Sequence, residues 1–322
     1  MKIKKALICG VSGQDGTYLS KLLLEKGYQV YGGSRDAQSS SFENLKKLNI
    51  FVDIEFVSIS VNDFRSVLQV IMKIKPDEIY NLAGQSSVAL SFEQPVETLE
   101  SISIGTLNLI EAIRFSGLNI KLYNAGSSEC FGNTLEAVDE LTPFRPRSPY
   151  GVAKATAFWE VANYREAYNL FACTGILFNH ESPLRKERFV TKKVIATACR
   201  IALGSNEKLV LGNINIFRDW GWAPEYVNAM WLMLQQDQPD DFIIATGTTM
   251  SLKDFVITTF EHLNLNLENH VSYDEDLLRP TDIEKGFANP LKAKEILNWE
   301  AKIKTTELVK LMVDSEINKT YI

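Results

Sequence analysis

The chain is poor in the residues that hold metals and staple folds. It has three histidines, His180, His262 and His270, and none stands at a ligand spacing from another. Its four cysteines, Cys9, Cys130, Cys173 and Cys199, lie far apart and form no CxxC pair. Neither a zinc site nor a disulfide framework is expected, and no metal is assigned. Three of those cysteines sit in apolar runs, where free cysteine packs as a small hydrophobe. Positive charge is not in excess: 34 Lys and Arg against 40 Asp and Glu give a net charge of -6. That balance offers no basic footprint for DNA or RNA. No apolar run reaches the roughly 20 residues that span a bilayer. The opening MKIKKALICG ends its short apolar run in a glycine-rich turn rather than a cleavage site, so it reads as a buried strand. The expectation is a cytoplasmic globular protein with no nucleic-acid and no membrane partner.

What the chain does have is alternation. Apolar strands are predicted at ALIC (6–9), YQVYGG (28–33), IEFVSI (54–59), DEIYNLAG (77–84), IKLYNAG (120–126) and LFACTGILFN (170–179). Helical stretches fall between them at 18–27, 64–74, 106–117 and 148–169. This predicts an α/β fold, a doubly wound parallel Rossmann-type sheet with ligands at the carboxyl ends of its strands. After about residue 180 the pattern turns irregular, with helices near 191–203, 224–236, 251–263 and 305–316 and short strands at 208–213 and 241–247. No repeat or flexible linker intervenes. The reading is a dinucleotide-binding domain over 1–180 and a smaller C-terminal substrate-binding lobe over 181–322, with an approximate boundary and interleaved segments.

GVSGQDG sets Gly10, Gly13 and Gly16 between the first strand and the first helix. Gly10 would allow the tight turn, Gly13 the close approach of backbone to a pyrophosphate, and Gly16 close helix–sheet contact. The amides of that helix N-terminus would face the phosphates. A carboxylate ending the second strand would favour NAD. Ser34 stands near that place and Arg35 follows, which suits a 2′-phosphate, so NADP is expected in preference to NAD. Asp36, beside it, would either neutralise Arg35 or itself bind the ribose.

NAGSSECFG (124–132) closes the fifth strand with hydroxyls and a carboxylate, and YGVAK follows at 150–154. Tyr150 and Lys154 are four apart on a predicted helix and share one face. An ammonium near the phenol favours the phenolate, as an acid–base tyrosine requires. Ser127 or Ser128 would hydrogen-bond the same substrate oxygen. Glu129 adds a carboxylate beside these hydroxyls; the plainer reading of it alone is a cap or pairing group at a strand end.

That constellation resembles the extended short-chain dehydrogenase/reductase superfamily. NLAGQSSVALSFEQP (81–95), PFRPRSPYGVAK (143–154), GILFNHESPLR (175–185), FVTKKV (189–194), RDWGWAPEYVNAMWLMLQ (218–235) and LRPTDIEKGFANPLKAKEILNW (278–299) carry the match further. Together they are similar to the GDP-mannose 4,6-dehydratase family over nearly the whole chain. The resemblance implies a lyase that converts GDP-mannose to GDP-4-keto-6-deoxymannose with NADP used and regenerated internally. Tyr150 would take the C4 hydroxyl proton, with Lys154 beside it and Ser127 orienting that hydroxyl. Glu129 would remove the C5 proton and assist loss of the C6 hydroxyl.

By the same resemblance, Gly10, Gly13, Gln14, Asp15, Gly16, Arg35, Leu82, Ala83, Tyr150 and Lys154 would hold the cofactor. Ser86, Ser128, Asn179, Val190, Lys193, Arg218, Arg279 and Asp282 would hold the nucleotide sugar. His180 would be a supporting residue rather than a catalytic one. The loop at 34–45 would reach a neighbouring subunit, implying a homodimer or homotetramer. Departures from the family pattern fall at Asp36, Ser60, Gly84, Ile102, Gly126, Ser127, Lys186 and Asp282. They leave two other readings open: a related nucleotide-sugar dehydratase or 4-keto reductase, and a non-catalytic binder.

Overall fold

Fully buried parallel strands need apolar side chains on both faces, and the short runs of the first half supply them. In the computed structural model, which describes residues 2–321, they form β1 (Lys5–Cys9), β2 (Gln29–Ser34), β3 (Glu55–Ser58), β4 (Glu78–Asn81), β5 (Lys121–Ala125) and β6 (Ala172–Leu177). β7 (Asn179–Glu181), β8 (Leu209–Leu211), β9 (Phe217–Trp222), β10 (Phe242–Ile244), β11 (Thr249–Ser251) and β12 (Val271–Tyr273) follow. The central sheet is seven-stranded, in the order β10-β6-β5-β4-β1-β2-β3, and all its pairings are parallel. Along β1, Ala6 and Ile8 face one core while Leu7 and Cys9 face another. The first core includes Ala229, Met230 and Met233 of the helix Ala223–Leu234. The second includes residues of the helices Phe64–Ile74 and Gly105–Ser116. Each fully buried Leu or Ile contributes roughly 2 kcal/mol to this packing.

The strand order reverses direction between β1 and β4, and a crevice opens there at the carboxyl ends. Gly10, just past β1, has φ +89 and lies against the Leu82 carbonyl past β4; a Cβ would come within 2.7 Å of that oxygen. The first helix runs Gln14–Glu25, four residues earlier than its apolar pattern predicts, because it begins inside the glycine turn. Gly16 therefore packs within the helix, where a Cβ would sit 2.4 Å from the Gly10 carbonyl oxygen.

Two features go beyond the sequence pattern. The stretch 241–247 supplies β10, which pairs with β6 and completes the central sheet rather than remaining with later segments. Residues 88–104, which show no clear period, form the helices Val88–Glu93 and Pro95–Leu99 and a π-helical turn, Glu100–Ile104. That turn runs directly into Gly105–Ser116. Beyond β6, the strands β11, β9 and β7 form a small sheet, and β12 and β8 pair separately. Trp220, Trp222, Phe255, Phe260 and Met312 fill the core beneath them.

Candidate active site

The segment after β5 is shaped by close contacts at its glycine. At the end of β5, a Cβ on Gly126 would meet Thr174 Cγ2 at 2.7 Å and the Gly175 oxygen at 2.9 Å, so glycine stands where the related pattern has serine. Ser127 then caps the turn Ser128–Cys130 by accepting from the Glu129 N–H at 3.3 Å. The helix Pro149–Tyr168 starts with proline at its first turn and Ser148 as cap, accepting from the Gly151 N–H at 3.0 Å. A Cβ on Gly151 would lie 2.8 Å from the Glu129 carbonyl oxygen, which shows how tightly helix start and turn are pressed together. The Glu129 charge acts on Tyr150, and the Ser127 hydroxyl hydrogen-bonds the Tyr150 phenol.

Lys154 is buried, and its ammonium donates to the Ala125 carbonyl at 2.6 Å. Burial pulls its pKa down to about 8, with Cys130 and Asp15 acting the other way. Burial pushes the Tyr150 phenol up strongly, and the Ser127 hydrogen bond opposes it only in part. The spacing alone does not show this: Lys154 Nζ is 5.8 Å from the ring centroid, and desolvation is the largest influence on the phenol. Glu129 is also raised by burial, against the opposing charges of Arg218 and Arg279 and in line with that of Asp282. Arg218 and Arg279 share one Asp282 oxygen, at 3.1 Å and 3.2 Å, and burial lowers the Arg218 pKa.

These groups open onto a cavity of about 550 Å³ bounded by both halves of the chain. Ser127, Glu129, Tyr150 and Lys154 line it, as do Ser86, Ser128, Asn179 and Val190. Lys193, Arg218, Arg279 and Asp282 complete the expected sugar side. Asp15, Leu82 and Ala83 reach the cavity from the cofactor side, whereas Gly10, Gly13, Gln14, Gly16 and Arg35 lie outside its walls. The Gln14 side chain is spent inside the protein. It donates to the His180 carbonyl at 3.2 Å and accepts from Ser182 Oγ at 2.7 Å, which leaves its backbone amide for a ligand.

The glycine turn fits a dinucleotide phosphate. The 12-residue helix Gln14–Glu25 has no side-chain cap, so its first N–H groups are unclaimed by a side chain. Above Gly13 an added Cβ would meet only the Gly10 oxygen, at 3.4 Å. Asp15 on the first turn is paired with His180 Nε2 at 2.9 Å, while His180 Nδ1 faces the Phe178 carbonyl at 2.8 Å. Two acceptors demand two ring N–H groups, so the ring is an imidazolium. Burial opposes its charge but Asp15 holds its pKa above the ordinary value. In turn His180 overcomes the burial of Asp15 and brings that carboxyl down to about 2. His180 is thus held between the Phe178 carbonyl and Asp15 at the cavity wall.

Arg185 and Arg188 also line the cavity and were missed in the sequence. The Arg185 guanidinium lies 3.7 Å over Phe189 and pairs with Glu181 at 3.1 Å. Their signal was the density of basic residues in PLRKERF just past a strand, which single surface charges do not distinguish from solvated ones.

The family model described as GDP-mannose 4,6 dehydratase matches residues 7–312. The chain belongs to the GDP-mannose 4,6-dehydratase family. GDP-mannose 4,6 dehydratase 1 of Arabidopsis thaliana is 47% identical, over 98% of this chain and 90% of that protein. The fold is shared more widely. A dTDP-glucose 4,6-dehydratase of Bacillus anthracis, solved in complex with NAD, superposes with a TM-score of 0.85 at 20% identity, covering 98% of this chain and 97% of that one. RMD from Pseudomonas aeruginosa, solved with NADPH, gives 0.79 at 18%, covering 98% and 100%. Ser127, which departs from the threonine of the family pattern, still places a hydroxyl on the Tyr150 phenol. Asp282, shorter than the family's glutamate, has its carboxylate drawn between two arginines.

Proposed function

We propose that the protein is a GDP-mannose 4,6-dehydratase that uses NADP. The observation that carries this reading is the Glu129 carboxyl held beside the Ser127–Tyr150 pair, in a cavity that Arg218 and Arg279 also line, near enough for their charges to act on it. Bound NADP would supply a hydride acceptor at C4 and return the same hydride at C6, with no net redox change. Tyr150 takes the C4 hydroxyl proton in its phenolate form, which the Lys154 ammonium and the Ser127 hydrogen bond favour against burial, while Ser127 fixes the direction of that hydroxyl. Oxidation at C4 acidifies C5–H, and Glu129 removes that proton. The C6–O bond breaks with the proton from Glu129 on the departing oxygen, so water leaves; the hydride returned at C6 is matched at C5 by the proton that Tyr150 took from the C4 hydroxyl. Arg218 and Arg279 meet the diphosphate by charge-assisted hydrogen bonds. Mass spectrometry of GDP-mannose incubated with catalytic NADP tests this. Loss of one water without net NADPH is the expected result, much slower with Glu129→Gln. Stoichiometric consumption of NADPH would instead mark a 4-keto reductase.

NADP over NAD is supported by Arg35, which is exposed and makes no ion pair among the described residues. Asp36 makes no ion pair with it: its exposed carboxylate accepts from the Gln38 and Ser39 N–H groups at 2.9 and 3.1 Å. Equal thermal stabilisation by NAD and NADP would refute this preference. A homodimer is supported by the apolar face of Val96, Ile104, Val152 and Trp159, on neighbouring segments of 95–104 and 149–168, with Trp159 63% exposed. Light scattering of the Trp159→Glu variant tests it; a wild-type monomer would refute it. All four cysteines are free and buried, which fits a reducing, cytoplasmic compartment.

A further inference from the structure

Gly84 and Ile102 each depart from the family pattern, and the structure puts them in contact. Gly84 lies in the loop after β4 that walls the cavity, with φ +117, a conformation that side chains rarely adopt. A Cβ there would come 2.9 Å from Ile102 Cγ1 and 3.2 Å from the Ser101 carbonyl oxygen. The loop is pinned to the same turn by the Gln85 N–H, which donates to Ser101 Oγ at 3.2 Å. Ile102 itself is 2% exposed and sits in the π-helical turn Glu100–Ile104. Single π-helical turns concentrate at functional sites because they re-aim a side chain within a continuous helix.

The other side of Ile102 faces the catalytic helix. It packs on Ala153 and Ala157, both fully buried, and Tyr150 packs against that same cluster. The two alanines let the π-turn approach closely, and Ser103 Oγ donates to the Ala153 carbonyl at 3.1 Å to hold it there. The polar groups around the phenol come from elsewhere. Ser127, Glu129 and Cys130 face it from the turn after β5, Arg185 from the segment after β7, and Lys154 from its own helix. Ile102 supplies the dry backing.

We infer that Ile102 is a positioning residue for Tyr150, wedged between the catalytic helix and the cavity wall, and that Gly84 is glycine because that wedge occupies the space of its side chain. The two departures are one steric unit. A smaller residue at 102 leaves a void behind the tyrosine, and a Cβ at 84 drives the wedge out of place. The inference rests on Tyr150 as the proton acceptor of the proposed reaction.

The test combines kinetics with a measurement that needs no turnover. Ile102→Ala is expected to lower kcat roughly tenfold or more with KM for GDP-mannose little changed. Water admitted behind the ring favours the phenolate, so the acid limb of the kcat profile moves to lower pH. Ile102→Val keeps Cγ1 and retains most of the activity. Gly84→Ala lowers kcat as well, and the Gly84→Ala, Ile102→Ala double variant is no worse than the poorer single one. Tyrosinate absorbance, titrated as a difference from Tyr150→Phe, follows the phenol directly and moves the same way. If Ile102→Ala fails to fold, Ile102→Thr keeps the branched shape, brings a hydroxyl to the ring and gives the same readouts. Additive losses in the double variant would overturn the inference, as would an unmoved phenol titration. A lowered melting temperature with unshifted kinetics would reduce Ile102 to an ordinary core residue. Failure of the wild-type protein to dehydrate GDP-mannose would undo the proposed function, but the phenol titration would still decide the wedge.

Discussion

Replacing Lys154 with methionine sets function against stability. The ammonium is 8% exposed, and burial has pulled its pKa to about 8, whereas in the unfolded chain it returns to its ordinary 10.5. A gap of that size is a burden of about 3 kcal/mol on the folded state at neutral pH. The sign follows from which state binds more protons. Between about pH 8 and about pH 10.5 the unfolded chain holds the extra proton, so the burden is full below that window and lifts as pH rises through it. Methionine fills the space without the charge, but gives up the 2.6 Å bond to the Ala125 carbonyl, a loss of about 1–2 kcal/mol. The cofactor-free Lys154→Met protein is therefore expected to gain about 1–2 kcal/mol at neutral pH while losing turnover. Urea unfolding measures this, and its midpoint advantage should shrink and then reverse as pH is raised through the window. A variant less stable than the wild type at neutral pH would refute the reasoning, as would a difference that does not change with pH.

Further perturbations separate the other parts of the site. Gly16→Ala forces a Cβ to 2.4 Å from the Gly10 oxygen; it should cost about 1–3 kcal/mol in urea unfolding and abolish the thermal shift on adding NADP. Asp282→Asn removes the charge that draws Arg218 and Arg279 together, and should raise KM for GDP-mannose several-fold with kcat less affected. His180→Phe leaves Asp15 without its partner and should cost about 2–3 kcal/mol by urea midpoint. Because the folded His180 titrates above its ordinary 6.5, the wild-type contribution is full below that pH and fades as pH rises through the folded value. The variant's stability should lack that alkaline decline.

Much of this was readable because parallel strands are buried on both faces and so appear as unbroken apolar runs. The helix Phe64–Ile74 was placed to the residue by its period, and Tyr150 and Lys154 share a helix face as their spacing requires. The residues that reach the cavity from far along the chain, such as Arg218 and Asp282, were legible only through the resemblance, since a lone charge carries no address. Residues 88–104 were opaque because three short helical stretches of different pitch run together. The strong upward push on the Tyr150 phenol was hidden too: spacing shows which charges are near, but burial decides the balance. Nor did any local pattern tie Gly84 to Ile102, a contact made only when the loop after β4 meets the π-turn.

The seventh strand has a consequence for how the chain is made. β6 ends at Leu177, but its partner β10 begins only at Phe242. At roughly 5–20 residues per second, synthesis of the intervening stretch takes on the order of several seconds. Throughout that interval the nascent chain carries an unpaired β6 edge whose residues are all buried in the finished fold, the kind of surface that seeks another strand. Release of a chain truncated before Phe242 should therefore yield insoluble material, and a pause in translation just upstream would lengthen the period in which a chaperone must shield that edge.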